Sequence, residues 1–153
     1  FHMAELATAA YEKFEVSDFE AQRSGLSYTS DTLALLRKEY PDSAFSLILG
    51  ADSFFEFENW HAPEDICRNA RLLVAAREYA REHSSLNEHA RHLEERFGAR
   101  VALIPAPLLD ISSMHIRELL AAGKKSAAQY LPAAVYRYIQ AEGLYVPEKE
   151  GKL

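Results

Sequence analysis

The chain alternates between short, wholly apolar runs and longer segments whose apolar residues recur at helical spacing. "FSLILG" at 45–50, "RLLVAA" at 71–76 and "VALIPA" at 101–106 are the apolar runs. Each has the length of a strand, and continuous apolarity predicts burial on both faces, as in a parallel sheet. Between them the period changes. "SDTLALLRKEY" sets Leu33, Leu36 and Tyr40 on one helical face, with Thr29 or Ser30 as the predicted N-cap and Pro41 as the stop. "PEDICRNA" opens with proline and two acids, the chemistry of a helix start. "SSLNEHARHLEERFG" predicts a polar helix ending at Gly98. A further helix follows Ser112, and "LPAAVYRYIQAEGLY" predicts one that starts at Pro132 and is capped by Gly143. Upstream, Met3, Leu6, Ala7, Ala10 and Tyr11 predict a helix over 2–13, and the alternation in "FEVSDFE" predicts a strand over 14–20.

Strand and helix in turn predict an α/β protein, a parallel sheet with helices on both faces. In such sheets the ligand crevice lies beyond the carboxyl ends of the strands. That directs attention to Gly50–Ala51–Asp52–Ser53, to Arg77, and to Asp110 through Arg117. At 153 residues the chain fits one domain. Its net charge of -6 argues against a general nucleic-acid binder, which needs a basic face. No apolar run is long enough to span a bilayer. The lone cysteine, Cys67, cannot form an intrachain disulfide, which suits a reducing cytoplasm.

Several crevice residues carry two readings each. Ser112 stands where an N-cap belongs; Ser113 and Arg117 share a helical face. They are either a cap with a solvated arginine, or a phosphate cradle of free helix N–H groups, hydroxyls and a guanidinium fork. Gly50 permits close approach to the backbone. Asp52 either caps a short helix or accepts hydrogen bonds from a ribose. Trp60 either packs a helix against the sheet or stacks on a flat ring. Ser27, Tyr28 and Thr29 either cap the next helix or hold a carboxylate or carboxamide. Arg77 is a surface charge or reaches an anion in the crevice.

Other signals point to no chemistry. His83, His89 and His92 lie on one polar helix with no completing ligand set and read as solvated. The chain contains neither G-x-x-x-x-G-K-[ST] nor G-x-G-x-x-G. Cys67 sits within a predicted helix without an evident base, so covalent catalysis has no support.

Taken in order, "SYTSDTL", "LILGADSFFEFENW", "ISSMHIR" and "YLPAAVYRYIQAEGLY" resemble the bacterial nicotinate-nucleotide adenylyltransferases, Rossmann-like nucleotidyltransferases. The resemblance runs along nearly the whole chain. It implies transfer of the adenylyl group of ATP to nicotinate mononucleotide, giving nicotinate adenine dinucleotide and pyrophosphate in NAD biosynthesis. It implies that Tyr28, Thr29, Trp60 and Arg77 serve the nicotinate nucleotide, Trp60 by stacking on the pyridine. It implies that Gly50, Asp52, Ser112, Ser113 and Arg117 serve ATP, with Arg117 also catalytic, and that Mg²⁺ bridges the phosphates. Homo-oligomerisation is compatible with it.

Departures accompany the resemblance. The family opens with a strand and a G-x-F-[DN]-P-x-H-x-G-H loop that nothing here matches. The expectation is therefore a single domain over 1–153, the C-terminal two-thirds of the enzyme with its first strand and loop missing. Arg77-Glu78-Tyr79 replaces the usual Arg-Pro-Gly, and Met114 a common threonine. Two alternatives stand beside the enzyme: a non-catalytic module that keeps only the pyridine pocket, and an adenylyltransferase for another phosphate acceptor such as phosphopantetheine.

Overall fold

The computed structural model describes residues 1–76, 79–107 and 111–146, with the backbone alone for 79–83. In chain order the elements are α1 (His2–Thr8), α2 (Thr29–Glu39), β1 (Phe45–Gly50), α3 (Ala51–Phe55), a 3₁₀ turn (Phe57–Asn59), α4 (Pro63–Asn69), β2 (Ala70–Ala76), α5 (Tyr79–Phe97), β3 (Val101–Pro105), α6 (Ser113–Ala121), a second 3₁₀ turn (Lys125–Tyr130) and α7 (Ala133–Ala141). They fall into two compact units, Arg23–Leu109 and the pair of segments Phe1–Gln22 with Asp110–Leu153.

The unit spanning Arg23–Leu109 holds a parallel sheet ordered β1-β2-β3, as the three apolar runs predict. Phe45 pairs with Ala70 and Leu72 with Val101. In β2 the residues Ala70, Leu72, Val74 and Ala76 are fully buried, while Arg71 between them is exposed. Side chains alternate across a strand, so these four share one face with Leu47 and Leu49. Phe54, Phe57, Ile66, Leu86 and Leu93 from the following helices complete that core. Each such side chain contributes about 1.5–3 kcal/mol by burial.

β1 departs from the expected burial. Its Ser46, Ile48 and Gly50 side is exposed, Ile48 by 67%. It is the edge strand of this sheet, and α3 packs against the core side. An apolar run shows that a strand forms, but not which face its neighbours cover.

In the other unit, Leu120, Ala127, Val135 and Ile139 form the core with Met3, Leu6 and Ile116 around it. α7 ends as predicted. Gly143 turns left-handed at φ 59°, Leu144 N–H donates to the Ile139 carbonyl at 3.0 Å, and Gly143 N–H to that of Gln140. This is a Schellman closure, and the positive φ favours glycine there.

Two expectations fail in this unit. α1 stops at Thr8, not Lys13; the Thr8 hydroxyl donates back to the Ala4 carbonyl at 2.8 Å, and a turn follows. "FEVSDFE" forms no strand. Ser17 Oγ accepts from Phe19 N–H, the Gln22 side chain donates to Asp18, and Phe14 is left 65% exposed. Side-chain bonds to the local backbone outcompete a ladder here. No helix among the described residues is long and apolar enough to cross a membrane.

Candidate functional site

The segment between β1 and α4 fixes the aromatic part of the site. Phe57 is fully buried and anchors the first 3₁₀ turn, so the chain emerges at Trp60, whose N–H donates to the Phe57 carbonyl at 3.1 Å. The indole tilts against Phe57 with ring centres 5.7 Å apart and stays half-buried. His61 follows, then Ala62 in the left-handed region at φ 48°, an uncommon conformation for a residue with a side chain. Its carbonyl accepts from Asp65 and Ile66, which holds the turn, and Pro63 starts α4 with Glu64 and Asp65 in the first turn.

α2 brings the second wall. Neither Thr29 nor Ser30 caps it. The capping position is Tyr28, extended at φ -99°, ψ 140°, with no side-chain cap. Ser30, 3% exposed, turns inward to share a 3.1 Å hydrogen bond with His61 Nδ1. The Tyr28 ring stacks on the His61 imidazole, centres 4.2 Å apart and planes 19° apart. Ser27, Tyr28, Thr29, Trp60, His61 and Ile66 together line an open cavity of about 320 Å³. The structure thus unites Tyr28, Thr29 and Trp60, and it adds His61 and Ser30, which sequence reasoning did not assign. The only signal for His61 was its place between Trp60 and Pro63.

The first turn of α2 has no side-chain cap, so its N–H groups keep their hydrogen-bonding capacity at the positive helix end, and Thr29 of that turn lines the cavity. This arrangement can grip a flat ring by stacking and an attached acidic group by hydrogen bonding.

α5 braces the Trp60 turn. Glu58 accepts from His92 Nε2 at 3.0 Å and pairs with Arg96, and His89 Nε2 sits 3.0 Å from the Phe54 carbonyl. His89 and His92 are therefore not simply solvated, as their polar helix suggests; they tie α5 to α3 and the 3₁₀ turn. The His92 hydrogen bond, with the nearby positive charges, lowers the Glu58 pKa below its ordinary 4.5. A group with a lowered folded pKa stabilises fully above the ordinary carboxylate range and loses that contribution as pH falls through the folded value. The Tm gap between wild type and Glu58→Gln is accordingly expected to close as pH drops below 4.5. Equal gaps at neutral and acid pH would show that the carboxylate charge does not hold the turn.

Gly50 ends β1 with φ -76°, and a Cβ there would meet no atom within 4 Å. Nothing in the packing of the described residues demands glycine, so open space beside the strand end is what it provides. Asp52 lies exposed in the first turn of α3 and makes no cap bond; the capping alternative fails. Arg77 lies outside the described residues.

In the other unit, Ser112 caps α6, its Oγ accepting from His115 N–H at 3.4 Å. Ser113 and Arg117, one turn apart, line one cavity of about 160 Å³ whose other walls include Met3, Leu131 and Val135. Both are exposed, and Arg117 makes no ion pair among the described residues. Ser112 is committed to its cap, while the Ser113 hydroxyl and the guanidinium are available on one face.

Cys67 is 2% exposed, and burial, with Glu64 nearby, raises its pKa to about 11. A thiol held protonated is a poor nucleophile. Native protein is expected to resist iodoacetamide and to react only when unfolded; rapid native alkylation would show an accessible thiolate.

No protein-family model matches the chain. Named relatives do. The probable nicotinate-nucleotide adenylyltransferase of Lachnoclostridium phytofermentans is 38% identical over 146 residues, covering 95% of this chain and 72% of the relative. That of Geobacter sulfurreducens is 36% identical over 156 residues, covering 94% and 72%. Among solved structures, Plasmodium falciparum nicotinic acid mononucleotide adenylyltransferase complexed with APC aligns with a TM-score of 0.62 at 22% identity, over 80% of this chain and 60% of that one. The same enzyme complexed with NaAD gives 0.61. The structural likeness establishes a Rossmann-like fold. Identity above 30% across most of both sequences establishes more: the chain belongs to the nicotinate-nucleotide adenylyltransferase family.

Proposed function

We propose that the protein transfers the adenylyl group of ATP to nicotinate mononucleotide, releasing pyrophosphate and forming nicotinate adenine dinucleotide. The observation that carries this is the cavity in which Trp60 and the uncapped start of α2 converge. There the pyridine stacks on Trp60, and its carboxylate takes the N–H groups and hydroxyl of Thr29 beside Tyr28. A flexible thiol-bearing acceptor such as phosphopantetheine would have no use for the stacking ring.

In this reaction the mononucleotide phosphate attacks the α-phosphorus of ATP, and the bond to pyrophosphate breaks. The protein aligns two polyanions and stabilises charge on the leaving group. We assign the ATP phosphates to Ser112, Ser113 and Arg117. Ser112 contributes through the α6 start it caps, Ser113 through its hydroxyl, and Arg117 through a forked, charge-assisted bond to the leaving oxygens. Asp52 would accept from a ribose hydroxyl beside Gly50, and Arg77 would serve the mononucleotide. Mg²⁺ would arrive with ATP, where it would supply charge neutralisation on the phosphates. A cytoplasmic setting fits the nucleotide substrates and the single buried thiol.

The test is an assay of the complete gene product with ATP and nicotinate mononucleotide. Pyrophosphate and dinucleotide are expected in equal amounts. Mononucleotide binding without turnover would favour the non-catalytic module, and turnover only with another acceptor would reassign the substrate.

A further inference from the structure

The geometry points to a second anion site, at the amino edge of the sheet, built from Arg37, Arg71 and Arg100 and suited to a compact phosphate compound with at least two linked phosphoryl groups. The three arginines surround a cavity of about 260 Å³ together with Phe45, Ser46 and Asn69. Arg71 is the second residue of β2, Arg100 immediately precedes β3, and Arg37 lies in the last turn of α2 before β1. Ser46 pairs with Arg71 in register, and the Arg71 and Arg100 positions immediately precede the Leu72–Val101 pair. The Leu72 N–H donates to the Arg100 carbonyl at 2.9 Å. Residues at one level on neighbouring strands project to the same face, and both Arg71 and Arg100 line this cavity and the adjoining one. Like charges so placed oppose folding.

Carboxylates are plentiful in this acidic chain, 23 against 17 Lys and Arg. Yet among the described residues none lies within ion-pair distance of these three, although Arg23, Arg68 and Arg96 each have one. Glu94 lines the adjoining cavity beside Arg91, and among the described residues no ion pair joins it to Arg71 or Arg100. Existing hydrogen bonds use little of the donor capacity: Arg37 donates to the Ser43 carbonyl, and Arg71 Nη2 is 3.5 Å from Ser46 Oγ. Each guanidinium carries five N–H donors in a planar fork that matches phosphate oxygens. A single carboxylate would neutralise one of three charges, whereas a diphosphate spans neighbouring forks.

This place lies at the opposite end of β1 from Gly50 and Asp52. Ser46 precedes Gly50 by four residues, about 13 Å at roughly 3.3 Å per strand residue. The inference does not depend on the adenylyl-transfer reading.

The test is an NMR titration of the ¹⁵N-labelled chain, one arm with inorganic pyrophosphate and one with ADP. Saturable shifts are expected at the amides of Ser46, Arg71 and Val101, weakened at least tenfold by Arg71→Gln or Arg100→Gln and kept in Arg117→Ala. The tighter of the two compounds identifies whether the site takes a free or a nucleotide-borne diphosphate. In anion-free buffer Arg100→Gln is expected to raise Tm by relieving repulsion. Shifts confined to residues 112–117, shifts that do not saturate, or an Arg100→Gln Tm equal to or below wild type would overturn the proposal.

Discussion

Trp60→Ala is expected to raise the KM for nicotinate mononucleotide while leaving that for ATP nearly unchanged. Three rings line the cavity around Trp60, and the other two, Tyr28 and His61, are already stacked on each other. Removing the indole deletes the surface a pyridine would cover. Stacking of this kind is worth about 1–3 kcal/mol, so the KM shift is about 5- to 150-fold. Phe57 remains in the core, and the indole is half-buried, so the variant retains its fold. Trp60→Phe keeps a ring and should recover most of the loss. Parallel rises in both KM values would mean that residue 60 shapes the protein generally and holds no particular substrate.

Arg117→Ala is expected to lower kcat by roughly 10²–10³, the usual cost of losing a donor aimed at developing charge. The guanidinium is exposed on α6 one turn beyond Ser113, and no carboxylate among the described residues neutralises it. Charge builds on the departing pyrophosphate as its bond breaks and is absent from bound ATP, so the loss falls on kcat more than on the ATP KM. Arg117→Lys keeps the charge without the fork and should restore only part of the rate. A kcat equal to wild type would remove Arg117 from the reaction.

The elements that sequence made legible are those with a strong local cause. The runs at β1, β2 and β3 are apolar enough to be nothing but strand, Pro63 and two acids open α4, and Gly143 closes α7 by the only backbone conformation that suits it. Trp60 and Tyr28–Thr29 were legible as a pair because motif order placed them in one family's pocket. What escaped depended on partners far along the chain. The exposure of Ile48 follows from which neighbour covers β1. "FEVSDFE" has the alternation of a strand, but Ser17 and Asp18 satisfy the backbone locally. His89 and His92 look like solvent-facing residues until Glu58 and the Phe54 carbonyl, more than thirty residues upstream, are folded against them. His61 gains meaning only when Ser30 and Tyr28 close on it from α2. Arg71 and Arg100 look like ordinary surface charges until parallel register brings both to one cavity.

Trp60 is the one tryptophan in the chain, so intrinsic indole fluorescence reports on this site alone. Titration with nicotinate mononucleotide is the most direct measurement. A pyridine ring lying on the indole predicts saturable quenching that ribose 5-phosphate, which lacks the ring, does not produce. Unchanged emission at saturating mononucleotide, or the same response to ribose 5-phosphate, would contradict it.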